Sequence, residues 1–371
     1  MYMKIATLTF HGSHNYGSVL QAYALSKQLE LMGNIVEIIN LRPQSQKNAY
    51  PRVPHSHDFI HKLFYMTIKR KLNKRYDEYE RFINDVLPTT KREYASTEEL
   101  RQESFDYDAY ICGGDQIWNP VCQDFETAYY LQFLNENCMA KKISYSPSLG
   151  KTEFDEETLK NISGWVKRFD SISVRETRGA NIISSVTGRD VSVVCDPVIL
   201  LDKKYWDEFA VLPKIKQPYM LVYFLENNHG RKDFVDYLSK ELGLRVVVLT
   251  EYLRDIVKPY IKKYDASPEE FVGLFKNASF VYTNSFHGTA FATIYNKPFI
   301  SVIDADQENA VNNNDSRKID YLNLIGLQDR LVKNDLPAKE ELMNCDFTLA
   351  NKKIAEFRNN SYKYLCDALG E

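Results

Sequence analysis

Lys4-Ile5-Ala6-Thr7-Leu8-Thr9-Phe10, taken together with Ile35-Val36-Glu37-Ile38-Ile39, decides the fold. Both are apolar runs of strand length. The segment between them carries a helical pattern from about Ser18 to Met32, with Leu20, Tyr23, Ala24 and Leu31 on one face. Gly33-Asn34 stops that helix. Strand, helix and strand at this spacing form a βαβ unit, which requires a parallel sheet and a right-handed crossover.

The same alternation recurs outward. The segment from Pro43 to Pro54 reads as a loop, and Asp58 to Val86 as a helix that is basic around Lys69, Arg70, Lys71, Lys74 and Arg75. Tyr110-Ile111-Cys112 runs as a strand into a glycine-rich loop. Further strands are expected at Lys142 to Ser146, Ser171 to Val174 and Val191 to Cys195, with helices at Glu156 to Arg168 and Glu176 to Ser185. Periodicity weakens and prolines recur from Asp196 to Pro218, which places an interdomain region near residue 205. The second half restarts with Tyr219 to Leu225, a helix from Lys232 to Leu242 and the strand Arg245 to Leu249. Ser267-Pro268-Glu269-Glu270 supplies an N-cap serine, proline at N1 and glutamate at N3, a specific helix start. A polar loop from Asp304 to Ser316 and a last helix from Leu349 to Leu369 follow. The expected fold is α/β, with two Rossmann-like domains (1–205 and 206–348) facing a cleft. A C-terminal helix (349–371) is placed to pack back on the first domain.

At 371 residues the chain exceeds what one core comfortably holds, and 44% apolar residues suffice for two. A net charge of −3 offers no electrostatic case for nucleic acid as a partner. No stretch reaches the roughly 18 apolar residues of a membrane span, and Met1 to Phe10 lacks the layout of a signal peptide, so a cytoplasmic chain is expected. Six scattered cysteines without a CxxC pair read as reduced thiols. His55, His57, Asp58 and His61 invite a metal reading, with His57 and His61 spaced for one helical face, but no nearby cysteine or flanking carboxylate pair supports it, so no metal is expected.

Three loops carry candidate chemistry. Gly12-Ser13-His14-Asn15-Tyr16-Gly17-Ser18 has the glycine spacing of a phosphate loop but no lysine. It therefore reads as a polar-ligand loop at a helix start. Gly113-Gly114-Asp115-Gln116-Ile117-Trp118-Asn119-Pro120 offers amides, an acid and an indole that either stacks on a sugar or anchors the loop to the core. Thr283-Asn284-Ser285-Phe286-His287-Gly288 puts an imidazole on a strand-to-helix turn, where a backbone freed by glycine and open N–H groups would meet an anion. Arg175, just past a strand, could grip a carboxylate or phosphate, or serve in an ion pair.

Taken together, NYGSVLQAYAL, GGDQIWNP, ISYSPSLG, SISVRE, CDPVILL, SPEEFVGLFKNAS and TNSFHGTAF resemble the polysaccharide pyruvyl transferase family, from about Lys4 to Leu327. The resemblance implies a glycosyltransferase-B-like fold and transfer of a pyruvyl group from phosphoenolpyruvate to a cell-surface glycan, giving a pyruvate ketal on two hydroxyls. No cofactor beyond the donor substrate is implied. By the same resemblance His287 is the general acid or base, and Arg175, Asn284 and Gly288 hold the donor. Asn15, Tyr16 and Gly17 with Gly114, Asp115, Gln116, Trp118 and Asn119 form the acceptor side. One departure stands out: Ser285 occupies the position at which better-understood members carry arginine. A serine cannot replace that charge, so either another cation takes over, with Lys297 and Arg317 the candidates, or the donor is not phosphoenolpyruvate. Two other readings remain: a glycosyltransferase using a sugar nucleotide, and a non-catalytic glycan-binding protein. The partners expected are phosphoenolpyruvate, a glycan or lipid-linked sugar, and a membrane surface touched peripherally through the basic stretch at Lys69 to Arg75.

Overall fold

The structure is a computed structural model that describes residues 2–54, 58–150, 153–225, 233–249, 258–303, 315–333 and 338–370. Two open sheets, parallel throughout, organise it. The first contains β1 (Lys4–Leu8), β2 (Ile35–Leu41), β3 (Thr89–Tyr94), β4 (Ala109–Gly113) and β5 (Lys141–Tyr145), in the spatial order β3-β2-β1-β4-β5. A two-stranded parallel pair, β6 (Ser173–Val174) and β7 (Ser192–Val193), adjoins it through a bridge between Ile143 and Ser171. The second sheet contains β8 (Tyr219–Tyr223), β9 (Arg245–Leu249), β10 (Ile261–Lys263), β11 (Phe280–Thr283), β12 (Phe299–Val302) and β13 (Leu331–Val332), in the order β10-β9-β8-β11-β12-β13. Each sheet reverses its winding beside its own first strand. The doubly wound α/β architecture read from the first βαβ unit is therefore present twice.

The first crossover helix runs Tyr16–Leu31, two residues earlier than its periodicity suggested, because Asn15 caps it: the Asn15 Oδ1 accepts from Gly17 N (2.8 Å) and Ser18 N (3.4 Å). Tyr16 to Ala22 are all buried, whereas Leu31, placed above on one face with Leu20 and Ala24, is exposed. The reason is position. This helix lies between the sheets, and its first turn meets the second domain: Tyr16 stacks on Phe271 (ring centroids 4.4 Å apart) and its hydroxyl donates to Ala266 O (2.7 Å).

Several expectations need correction. Within the segment read as a loop before Pro54, Gln44–Ala49 folds as a short helix after Pro43, consistent with its helix-favouring Gln, Lys and Ala. The polar edge strand β3 and the short β10 carry too little apolar alternation to be seen in the sequence. The helix expected to Val86 is α-helical over Phe59–Arg81 and closes with a π turn, Phe82–Val86. The capping box at Ser267 forms as read, with Ser267 Oγ accepting from Glu270 N (3.2 Å) and the Glu270 carboxylate from Ser267 N (3.1 Å). Most of the polar loop after Val302 lies outside the described residues.

The last helix, Thr348–Leu369, returns to the first domain. Ser361 Oγ accepts from the buried N–H of Cys195 (2.9 Å), Tyr364 Oη donates to Ser144 O (2.8 Å), and Lys141 Nζ donates to Leu369 O (2.7 Å). No described helix is long and apolar enough to cross a membrane.

Replacing Ser361 with alanine strands the Cys195 N–H without a partner, at a cost of about 1–3 kcal/mol. Urea denaturation of Ser361→Ala should show that loss with an unchanged m-value; a wild-type midpoint would mean the helix is not held through this bond.

Candidate active site between the two switch points

In an open parallel sheet, ligands collect outside the carboxyl ends of the strands where the winding reverses. For the first sheet this is the β1/β4 junction, which carries the loop to Asn15 and the Gly113–Asp115 turn. For the second it is the β8/β11 junction, which carries Asn284 to His287. The two junctions meet. A Cβ placed on Gly17 would lie 2.0 Å from His287 Nδ1, so only glycine at that position lets the imidazole of one domain seat on the first turn of the other domain's helix.

His287 occupies the second position of the helix Phe286–Ile294 and is 7% exposed. Ser285 caps this helix, its Oγ accepting from Gly288 N (3.3 Å), while Ser285 N donates to Thr283 Oγ1 (3.1 Å). The serine that stands in the arginine position is thus a buried cap. Neither imidazole nitrogen is bonded to a backbone carbonyl among the described contacts. Nε2 instead faces Asp196, 3.6 Å from its Oδ2, and lacks a hydrogen bond.

Asp196 was not picked out from the sequence, although it lies in the CDPVILL motif. It is wholly buried and caps the short helix Pro197–Leu200 through Val198 N (2.9 Å). Arg175 Nη1 donates to its Oδ2 at 2.5 Å. Strand pairing explains the encounter: β6 and β7 run parallel in register, so Arg175 and Asp196 leave the same end of neighbouring strands. Burial alone would raise the Asp196 carboxyl, but the charges of His287 and Arg175 outweigh it and hold its pKa well below the usual carboxylate range. Arg175 also lies 3.9 Å from Asp115 and 5.1 Å over the Phe286 ring, and its Nε and Nη2 carry no hydrogen bond.

Arg317, on the helix Ser316–Ile325, lines a cavity of about 580 Å³ together with Arg175, Asp196, Phe286, Tyr321 and Phe357. Burial and the neighbouring Arg175 push its pKa down, against the opposing charges of Asp115, Glu176 and Asp196, and its Nε is also without a hydrogen bond. The buried Lys318 next to it, absent from the sequence reading, pins this helix. Its Nζ donates to Asn284 O (2.7 Å) and Val302 O (2.5 Å) and pairs with Asp315. Lys297 does not reach the cluster. It follows the opposite end of the helix Phe286–Ile294, its N–H bonded to Ala292 O, and burial and the charge of Lys203 there lower its pKa. Asn284 is committed to structure: its amide donates to Leu225 O (2.9 Å) and its oxygen accepts from Leu225 N (2.7 Å).

On the first domain, Gly114 and Asp115 both adopt left-handed backbone conformations (φ 72° and 52°). A Cβ on Gly114 would fall 1.6 Å from Gln21 Oε1. The turn holds Asp115 so that it accepts from Ser18 Oγ and from Gln116 N (2.9 Å). Trp118 requires correction as a sugar platform. It is fully buried, stacked on Tyr130 (4.9 Å), with its indole N–H donating to Tyr129 O (2.9 Å). Asn119 is buried and bonded to Gln116 Oε1 (3.1 Å), so these two side chains stiffen the loop.

Aromatic surface is offered elsewhere. Asn15 and Tyr16 open on a second cavity, of about 460 Å³, lined by His14, Tyr50, Tyr76, Tyr79 and Tyr223 with Arg52, Arg75 and Lys263. His14 stacks on Tyr79 (5.0 Å) and bonds Glu80 (2.8 Å), whose carboxylate Arg42 grips with both Nη atoms. Burial would raise Glu80, yet these bonds lower it to about 2. Among the metal candidates, His61 pairs with Asp58, while His55 and His57 lie outside the described residues.

The model of the family described as polysaccharide pyruvyl transferase matches residues 15–306, which covers the Asn15 loop, Asp115, Arg175, Asp196 and His287. The chain belongs to the polysaccharide pyruvyl transferase family. No curated protein matches it in sequence. Solved structures match it in fold at low identity. UDP-GlcNAc 2-epimerase from Neisseria meningitidis, bound to UDP-GlcNAc, aligns with a TM-score of 0.51 at 12% identity, over 99% of this chain and 99% of that one. The S. aureus MnaA-UDP co-structure aligns at 0.51 and 13%, over 98% and 90%. A putative UDP-N-acetylglucosamine 2-epimerase from Listeria monocytogenes aligns at 0.50 and 9%, over 98% and 91%. This pyruvyl transferase family member therefore has the two-domain, glycosyltransferase-B-like arrangement expected above.

Two predictions follow from this geometry. Because the folded-state pKa of Asp196 is depressed, the stability its charge contributes is complete above the ordinary carboxylate range and is lost as pH falls through that range. Asp196→Asn, which leaves the Arg175 guanidinium buried without its counter-charge, should cost about 3–5 kcal/mol at neutral pH and flatten the loss of stability seen in wild type below about pH 5; chemical denaturation across pH measures both. Gly17→Ala should destabilise by about 1–3 kcal/mol through overpacking against the imidazole. In a double-mutant cycle, Gly17→Ala should cost much less when His287 is already alanine; additive effects would mean that the two residues do not share this seat.

Proposed function

We propose that this chain transfers the pyruvyl group of phosphoenolpyruvate to two hydroxyls of a glycan sugar, with His287 as the acid–base group. The observation that carries the reading is the cluster of Arg175, Arg317, Asp196 and His287 at the meeting of the two switch points. There, buried guanidinium nitrogens on both arginines lack partners. Buried cationic donors without acceptors suit an anionic ligand, and phosphoenolpyruvate brings a phosphate and a carboxylate. Arg317 then supplies the guanidinium that Ser285 cannot, leaving Ser285 as a helix cap.

The Asp196 carboxylate, facing Nε2 at 3.6 Å, favours a proton on that nitrogen, and Nδ1, at the first turn of the Tyr16–Leu31 helix, exchanges protons with the reactants. The donor's methylene carbon takes a proton and becomes a methyl group. The neighbouring carbon, now oxocarbenium-like, forms a bond to one sugar oxygen. Loss of phosphate and attack by a second hydroxyl complete the ketal. Of the two hydroxyl protons released, one balances that delivered to carbon and the other leaves with phosphate. Both arginines stabilise the negative charge of the donor and of the departing phosphate. The aromatic cavity beside Asn15 and Tyr16 takes the sugar, its tyrosine faces and hydroxyls suiting a pyranose ring. The Gly114-Asp115 turn lies on the same side and holds the cluster's first-domain edge through Ser18.

Incubation with phosphoenolpyruvate and a panel of glycan acceptors should release phosphate and yield a product heavier by a pyruvate ketal. His287→Ala should lower kcat by about 10²–10⁴-fold. Arg317→Ala should weaken donor use by about 10- to 100-fold, the worth of a charge-assisted hydrogen bond, while Lys297→Ala leaves it unchanged. Equal loss from Lys297→Ala and none from Arg317→Ala would reverse the donor assignment. Stabilisation of the protein by a sugar nucleotide but not by phosphoenolpyruvate would reject the reaction itself.

A further inference from the structure

The helix Phe59–Arg81 has two unlike faces. Phe64, Ile68, Leu72 and Tyr79 are buried against the body of the protein, with Phe64 close to Tyr264 (6.2 Å). On the opposite side Phe59, Leu63 and Met66 are 76%, 54% and 71% exposed. Spaced by four and three residues, they form one outward apolar stripe. Exposed Lys62, Lys69 and Arg70 flank or continue it. From Phe59 to Tyr76 the helix carries six lysines and arginines and no carboxylate, in a chain whose net charge is −3. The charge is therefore gathered here against the trend of the whole molecule.

We infer that the N-terminal half of this helix is a docking surface for an anionic phospholipid membrane, with Phe59, Leu63 and Met66 entering the headgroup boundary and Lys62, Lys69 and Arg70 meeting lipid phosphates. An apolar stripe bordered by cations is the pattern of helices that lie in a membrane interface. Charge complementarity selects this occupant: a second copy of this chain would bring the same cations against the patch. The placement also matters for the glycan site. The C-terminal half of the same helix contributes Leu72, Arg75, Tyr76 and Tyr79 to the aromatic cavity, and Met66 and Arg75 are only about 14 Å apart along the axis. A membrane held by the first half brings the cavity near sugars attached to lipid. Docking goes beyond the transfer reaction and does not depend on which donor is used.

Co-sedimentation of the full chain with vesicles of phosphatidylcholine, with and without phosphatidylglycerol, tests the inference. The full chain should pellet with the anionic vesicles and be released by salt. F59S/L63S/M66S and, separately, K62E/K69E/R70E should each weaken partitioning by at least about tenfold, with unchanged thermal midpoints and unchanged phosphate release on a water-soluble acceptor. Absence of vesicle binding, or binding that both variants retain, overturns the proposal. So does a dimer in sedimentation velocity that F59S/L63S/M66S converts to monomer while vesicles remain unbound, since a second copy would then cover the stripe. Loss of transferase activity with vesicle binding intact would count against the proposed reaction alone.

Discussion

The pairing of Arg175 with Asp196, with His287 at its edge, is the constraint on which the rest of the structure depends. A buried guanidinium and a buried carboxylate each cost several kcal/mol to desolvate, and their attraction offsets this only when the geometry is good. Here the geometry comes from backbone: two short parallel strands deliver both residues at the same end, and the cap on the Pro197–Leu200 helix fixes the carboxylate. The imidazole arrives from the other domain, and its place depends on the absence of a side chain at Gly17. The geometry of the candidate site and the domain contact thus share the same atoms.

Both halves contribute because both are wound alike. In a doubly wound sheet the only gap at the carboxyl edge lies where the winding reverses, and each domain offers that gap to the other. The Tyr16–Leu31 helix begins in one gap and the Phe286–Ile294 helix in the other, so their first turns face. Buried almost all round, the first of these behaves as shared core. The C-terminal helix secures the assembly by capping strand ends of the first domain from the end of the chain.

How much of this the sequence disclosed follows from the range over which each signal acts. The βαβ units, the Ser267 capping box and the strand-to-helix turn at His287 are local patterns of periodicity and capping, and they could be read directly. Asp196 could not, because a single Asp-Pro looks like any helix start; its importance arises from strand register with Arg175, twenty-one residues earlier. A signal was nevertheless present, in that the motif carrying Asp196 was one of those that made the family resemblance. Trp118 failed for the opposite reason. An indole in a glycine-rich polar loop has the composition of a sugar platform, and only the neighbouring Tyr130 and Tyr129 carbonyl show that it anchors the loop. Lys297 was a candidate by residue type, but it follows the far end of the helix Phe286–Ile294 whose first turn carries His287.

Ser285 shows how a site can keep its charge while losing a motif residue. A serine at the N-cap stabilises the helix that bears His287, typically by about 1 kcal/mol relative to alanine, and puts no cation beside the imidazole. The positive charge comes instead from Arg317, on a helix held by Lys318 across the carboxyl ends of β11 and β12. Burial and the nearby Arg175 disfavour the charged form of Arg317 and lower its pKa, and Asp115, Glu176 and Asp196, acids drawn from the first domain, offset part of that cost. A cation moved from a turn to a separate helix can respond to how that helix sits. The positive charge of the candidate site therefore depends on the packing of Ser316–Ile325 as well as on the turn around His287.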